Sequence, residues 1–368
     1  EVDILSGQPS YKTALANAKR PKAEHVNGVN IRRVDLPREA GRPAIRVLNA
    51  IRLGVALLRQ SLKTRPDIIM ISTVPPVLGG FFAALAARLV GARFVYHCMD
   101  IHPEIGKISG EFRNPLLFRF LRAIDSQTCK SASRVIVLSS DMEAAIRRRA
   151  GLDHCPISII NNFALPGESE GRDRAPFNAD ASLLTVLFAG NIGRFQSLGT
   201  VVRAMSRLQH RNDIRFILMG DGSEKQSLES LAEELGARLT FIGHQSSSAA
   251  KAAMAIADLG YISLEPDVYR YAYPSKAMTY LEQGCPLPVA MEPDSALAKL
   301  VINSRAGFTV EPENDQELAK LLESLAEDKS WRTEQRLSAK RTSDECFAKS
   351  PTLDKWSALV RELMEATP

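Results

Sequence analysis

Apolar runs of four or five residues alternate with longer amphipathic stretches along most of this chain, a pattern that predicts parallel βαβ units. Ile68-Ile69-Met70-Ile71-Ser72 reads as a buried strand running into Val74-Pro75-Pro76, and residues 78–90 as an Ala-rich helix. Arg93-Phe94-Val95-Tyr96-His97 is the next strand. A polar loop at 100–104, a helix over 116–130 and a strand over 135–138 follow; Ser139-Ser140-Asp141 caps the helix after it. Ser158-Ile159-Ile160 is a short strand ending at Asn161-Asn162. The alternation lapses over 164–183, where Gly167, Ser169, Gly171 and six charged residues mark a linker.

It then resumes. Strands over 184–188, 215–219, 239–242, 259–263, 287–290 and 307–310 are separated by helical stretches, with final helices at about 314–328 and 351–366. The fold expected is α/β, two Rossmann-like doubly wound domains facing a cleft, with ligand loops at the carboxyl ends of the strands. The boundaries expected are 1–165, a linker over 166–183, 184–345, and a last helical segment over 346–368. Val2-Asp3-Ile4-Leu5 reads as a strand with almost nothing before it, so a further strand is expected upstream.

Composition narrows the class. The 368 residues are 45% hydrophobic and 24% charged, as in ordinary globular proteins. Five scattered cysteines without CxxC spacing argue against a disulfide framework or a zinc site. No apolar run reaches the ~18 residues of a membrane span. The net charge of +5 is uneven: residues 1–163 carry 24 Lys+Arg against 13 Asp+Glu, leaving the remainder at −6. A basic front half suits something anionic, whether nucleic acid, lipid or a phosphorylated substrate, or is chance clustering. Residues 44–63 form an amphipathic helix with Ala44, Val47, Leu48, Ile51, Val55, Leu58 and Leu62 on one face and Arg46, Arg52, Arg59 and Lys63 around it. That face is expected to pack inward, the alternative being contact with anionic lipid.

Four short motifs carry candidate chemistry. Gly190-Asn191-Ile192-Gly193 follows a strand and opens a helix near Ser197, which lets backbone N–H groups approach a phosphate beside Arg194, or is a plain βα turn. Gly220-Asp221-Gly222 also follows a strand and leaves room for a nucleotide, or is an ordinary turn with Ser223 as N-cap. Pro274-Ser275-Lys276 precedes a helix that ends at Gly284. Ser275 is a good N-cap, whereas a lysine in the first turn opposes the helix dipole, which suggests a task such as neutralising a diphosphate. Asp100-Ile101-His102-Pro103-Glu104 places three ionisable groups on one loop, where Asp100 or His97 has the chemistry to act on an acceptor hydroxyl. The spacing is poor for a metal. No GxSxG elbow or HExxH helix points to hydrolysis.

Taken in order, Ser72-Thr73-Val74-Pro75-Pro76, the 100–104 loop, Ile160-Asn161-Asn162, the two glycine turns, and Pro274-Ser275-Lys276 with Gly284 resemble glycosyltransferase family 4 with the GT-B fold. The likeness is nearest to bacterial polysaccharide and O-antigen sugar transferases of the WbuB type, and it covers nearly the whole chain. It implies a retaining, metal-independent transferase without a cofactor. The second domain would hold a nucleotide diphosphate-sugar, often UDP-linked. The first would hold a saccharide or polyprenyl-phosphate-linked acceptor. The expected place is cytoplasmic, peripheral at the inner face of the plasma membrane, with an anionic membrane surface and not nucleic acid as partner. The family chain begins with one more strand and a Gly-rich loop, and its last helix crosses back onto the first domain.

Carried onto this sequence, the resemblance places the catalytic roles on Asp100, Arg194 and Lys276. Donor binding falls to Gly190, Asn191, Gly193, Gly220, Asp221, Gly222, Glu265, Tyr273, Pro274, Ser275 and Thr279. The acceptor side falls to His97, His102 and Glu104. Two departures stand out. The family's paired glutamates fall at Tyr271 and Thr279, which leaves Glu265 or Glu282 as substitutes out of register. Its Arg and Lys on the first loop of the second domain fall at Asn191 and Gln196, which leaves Arg194. A UDP-sugar 2-epimerase of the same fold and a non-catalytic partner subunit are the rival readings.

Overall fold

A computed structural model describes residues 1–8, 20–38, 42–112, 114–165 and 173–365. The 166–172 part of the expected linker and the last three residues lie outside them. The chain divides into two compact units, one of residues 1–137, 146–158 and 360–368, the other of 138–145 and 159–359.

The first unit opens with β1 (Val2–Gly7), β2 (Ala23–Val26) and β3 (Val29–Val34). β2 and β3 form a hairpin around Asn27-Gly28, both at positive φ as such a two-residue turn requires. β3 also pairs in parallel with β1. Then come α1 (Pro43–Thr64), β4 (Ile68–Ser72), α2 (Leu78–Val90), β5 (Arg93–Cys98), α3 (Glu104–Ile108), α4 (Pro115–Ser131), β6 (Arg134–Val137), α5 (Ser140–Arg147) and β7 (Ile157–Ile159). β4 to β7 lie side by side in chain order, each next to its neighbour in sequence.

The packing of α1 corrects one expectation. Its buried residues are Asn49, Ala50, Gly54 and Ser61, whereas Val47, Leu48, Ile51 and Leu62 on the apolar stripe are exposed. The reason is steric. α1 lies close along α2, and a Cβ on Gly54 would stand 2.2 Å from the Phe82 ring. Close approach selects the small side, and the bulky apolar side is left outward.

A buried ionic cluster ties this unit together. Arg149, 1% exposed at its side chain, bonds Asp125 at 2.5 Å and both oxygens of Glu104 at 3.0 and 2.6 Å. Its remaining N–H group donates to the His102 carbonyl at 2.8 Å, and the Tyr96 hydroxyl donates to Asp125 at 2.7 Å. Burial alone would lower the guanidinium's pKa, but the two carboxylates outweigh it and keep Arg149 charged.

The second unit contains β8 (Leu184–Ala189), α6 (Gly199–Arg207), β9 (Ile214–Met219), α7 (Lys225–Leu235), β10 (Thr240–Ile242), α8 (Ser247–Ile256), β11 (Leu259–Gly260), β12 (Ile262–Ser263), α9 (Lys276–Glu282), β13 (Leu287–Ala290), α10 (Ala296–Asn303), β14 (Gly307–Val310), α11 (Asp315–Glu327), α12 (Trp331–Cys346) and α13 (Lys349–Glu365). The single strand expected over 259–263 is two. β11 pairs with β8, and past Tyr261 the chain leaves that ladder so that β12 pairs with β13. With β8 to β14 numbered 1 to 7, the strands run 3-2-1-4 in one sheet and 5-6-7 in a second, and all are parallel. Leu184, Val186 and Phe188 of β8 pack with Val201 and Met205 of α6 and Leu318 and Leu322 of α11. Each such side chain contributes about 1.5–3 kcal/mol by leaving water. From residue 360 the last helix belongs to the first unit, where Glu362 pairs with Arg134.

Candidate active site

In a sheet of this order the chain leaves β8 in one direction and the 259–263 run in the other, so a crevice opens at their carboxyl ends. The loop after β8 begins at Gly190 (φ 147°) and the loop after β9 at Gly220 (φ 146°). The two are laced by main-chain bonds: Gly190 N–H donates to Met219, Ile192 N–H to Asp221, and Glu224 N–H back to Ile192. A Cβ on Gly220 would come within 1.8 Å of the Gly190 carbonyl oxygen, and one on Gly222 within 2.1 Å of that of Ile192. These glycines therefore serve the approach of a neighbouring loop, a packing reason that the sequence had left open beside the nucleotide one.

Gly190 meets a different partner. Its missing Cβ would lie 1.7 Å from Cε and 2.1 Å from Nζ of Lys276, so the lysine side chain lies directly over the glycine. The ammonium sits 5.0 Å from the centre of the Phe188 ring and has no hydrogen-bond or ion-pair partner among the described residues. Burial pushes its pKa down to about 8. A lysine held in an apolar slot beside a glycine turn has the charge that an anion would need there. Gly190→Ala should drive the amine from the slot and strain the backbone at a φ that L-residues avoid. UDP affinity, measured by calorimetry, is expected to fall at least about 10-fold, the loss of one charge-assisted hydrogen bond.

The other residues expected near the donor are placed as follows. Arg194 is largely exposed and 3.4 Å from Glu224. Gly193, Arg194 and Glu265 line one pocket of about 600 Å³ with Ser197, Glu224 and Ser227. Burial, then Glu313 and Glu224, raise the Glu265 carboxyl's pKa against the opposing pull of Arg194. The Gly193 amide donates to the Gln196 side chain at 3.1 Å, and Asn191 is exposed. Asp221 pairs with Lys225 at 3.2 Å. Glu282, the other substitute for the family's glutamates, is held by Lys251 at 2.8 Å. Thr279 is half-buried on α9. Pro274 accepts from Ala277 N–H, and Ser275 is exposed at the N-cap position without a side-chain cap bond, contrary to expectation, because its backbone is already helical (φ −56°, ψ −22°). The Tyr273 ring lies 6.5 Å from Phe347 and its hydroxyl bonds Asn161.

In the first unit, Asp100 and His102 sit together on the loop after β5. Burial raises the Asp100 pKa and lowers that of His102, each moderated by the other. Asp100 N–H donates to Thr73 Oγ at 3.2 Å, which ties this loop to the one after β4. Burial drives His97 down to about 4, so it is neutral at physiological pH. Glu104 lies in the buried Arg149 cluster and not on the loop's open side. Among the described residues no three His, Cys, Asp or Glu side chains gather as a metal ion needs.

Arg149 and Tyr280 organise these loops and carry no mark of their own in the sequence, whereas Thr73 lies in the Ser72–Pro76 motif. The glycine in Leu259-Gly260-Tyr261 was the one available signal for Tyr280, since a glycine inside a strand marks a close approach.

Residues 1–162 match the model described as glycosyl transferase 4-like domain, and residues 169–343 the one described as glycosyl transferases group 1. The chain is 26% identical over 270 residues to the probable glycosyltransferase WbjE of Pseudomonas aeruginosa, covering 72% of this chain and 67% of that protein. It is 26% identical over 254 residues to the putative colanic acid biosynthesis glycosyl transferase WcaI of Escherichia coli, covering 64% and 60%. The chain thus spans about two thirds or less of these relatives. The solved structure of HepE from Anabaena in complex with UDP superposes with a TM-score of 0.69 at 18% identity, over 90% of this chain and 86% of that one. At that identity the likeness establishes a shared fold, GT-B.

Proposed function

Since this chain belongs to the glycosyltransferases that join a 4-like domain to a group 1 domain, we propose that it moves a sugar from a nucleotide diphosphate donor to a lipid-linked acceptor in bacterial surface polysaccharide synthesis. Transfer proceeds with retention and without a metal. Residues 184–345 take the donor and residues 1–165 the acceptor, and the chain returns to the first domain from residue 360. The observation that carries this reading is the unpartnered Lys276 ammonium laid over Gly190 at the strand-order reversal. The diphosphate gains negative charge as it leaves, and a preplaced cation stabilises that charge more than it stabilises the ground state. Arg194, at the rim of the neighbouring pocket, supplies a second cation on a longer tether. Asp100, whose carboxyl is raised by burial, takes or orients the acceptor's hydroxyl proton. UDP is expected to raise the melting temperature in a screen of UDP, GDP and dTDP, because a ligand that binds only the native state stabilises it. A flat response to all three would sink the donor assignment.

The acceptor side suits a membrane surface. The outward stripe of α1 is ringed by Arg46, Arg52, Arg59 and Lys63, and α4 exposes Leu116, Leu117 and Phe120 around Arg119. Apolar side chains among cations match an anionic bilayer, into which the former insert while the latter meet headgroups. Leu48→Glu with Ile51→Glu is expected to weaken flotation with phosphatidylglycerol vesicles at least about 100-fold, the worth of two buried apolar side chains. Unchanged flotation by that variant, or self-association through this face in light scattering, would count against the membrane.

A further inference from the structure

Tyr280 lies one helical turn after Lys276 on α9 and is fully buried. Its hydroxyl accepts from Ala189 N–H at 2.7 Å and donates to the Leu187 carbonyl at 2.9 Å. Those groups belong to the last turn of the β8 ladder, just before Gly190. The ladder between β8 and β11 ends at Gly260 opposite Leu187, and the chain then passes to β13. A continued ladder would offer Ala189 N–H a main-chain carbonyl, and the phenol stands in its place. The ring fits there because residue 260 has no side chain: a Cβ would be 2.3 Å from it.

We propose that Tyr280 is a positioning residue for the donor site, pinning α9 to the end of β8 so that the Lys276 side chain lies over Gly190. The inference rests on the reading of Lys276 as the diphosphate's cation. Its physical content is a short rigid link. Residues four apart share a helix face, so a bond that fixes residue 280 to Leu187 and Ala189 also fixes where residue 276 begins. No other side-chain bond from α9 reaches the end of β8 among the described residues. The phenol also suits its partners, because it accepts from the buried Ala189 N–H and gives its own proton to the Leu187 carbonyl, whose other bond comes from Tyr261 N–H at 2.9 Å.

The test is a double-mutant cycle on UDP affinity, measured by calorimetry with Tyr280→Phe, Lys276→Ala and the pair in the whole protein. Tyr280→Phe alone should weaken UDP about 10-fold, as loss of a charge-assisted contact does. Added to Lys276→Ala, it should change affinity by less than about 2-fold, because there is no amine left to place. The wild-type affinity should also fall as pH rises through about 8, and Tyr280→Phe should move that midpoint upward as the amine gains water. Gly260→Ala, which pushes on the ring but leaves the hydroxyl, is the second variant and should show the same dependence on Lys276. If Tyr280→Phe binds UDP normally, or weakens it equally with and without Lys276, Tyr280 merely supports the fold and the proposal fails. If Lys276→Ala binds UDP as the wild type does, the donor reading fails first and this inference with it.

Discussion

Lys276→Ala is expected to lower kcat/KM about 10²- to 10³-fold, the usual consequence of removing one preplaced group that stabilises developing charge, while leaving the melting temperature unchanged or higher. The second half of that expectation separates function from fold. A buried amine without an anion costs the native state, so its removal should relieve and not unfold the protein. A structural lysine would behave in the opposite way. The pH dependence follows from the same burial. Lys276 titrates at about 8 in the folded chain against 10.5 for the free side chain. Between those values the unfolded chain binds more protons than the folded one, so wild-type stability gains an increment as pH rises from about 8 to about 10.5. The variant lacks it. Donor affinity runs the other way, level below pH 8 and falling above it as the amine loses its charge. Near-normal turnover by Lys276→Ala at neutral pH would remove it from the mechanism.

The parts of the molecule that could be read from the sequence are those whose cause is local. Strands such as 68–72 and 184–189 are short, apolar and bounded by turn residues, and they lie where the pattern put them. Lys276 drew notice because a lysine in a first helical turn opposes the dipole, and the structure places it over Gly190. What stayed hidden depends on neighbours distant in sequence. Periodicity marks an apolar face on α1 but does not say which side meets α2, and the fit of Phe82 against Gly54 decided that. Gly220 and Gly222 announced close approach without saying to what. The hairpin at Asn27-Gly28 and the helix at 331–346 went unread, the latter because its sequence is polar almost all round. Tyr280 gave no sign of its role, since a tyrosine on a core-facing helix position is ordinarily just packing.

Arg149→Leu should cost about 3–5 kcal/mol of stability at neutral pH, because it leaves two buried carboxylates without their cation. The alternative, that the leucine's apolar bulk compensates, fails on the partners. Among the described residues, Asp125 keeps only the Tyr96 hydroxyl, and Glu104 only the half-exposed Arg122 at 3.1 Å. Burial already holds the Asp125 carboxyl above its ordinary pKa, with Arg149 the main counterweight. Without that counterweight its folded pKa rises further above the unfolded value, so the variant binds more protons when folded. Its deficit against the wild type should therefore shrink as pH falls toward about 4 and be largest near 7, a pattern that urea unfolding across that range would reveal. Adding Asp125→Asn and Glu104→Gln should restore most of the stability, since neutral amides need no counter-ion. It should not restore everything. Arg149 also holds the His102 carbonyl, and no substitution at 104 or 125 replaces that bond. The triple variant is thus expected to fold well and to keep a raised KM for the acceptor with an unchanged KM for the donor. Full recovery of the acceptor KM would make the cluster a structural device alone, with no part in holding Asp100 and His102 for the acceptor.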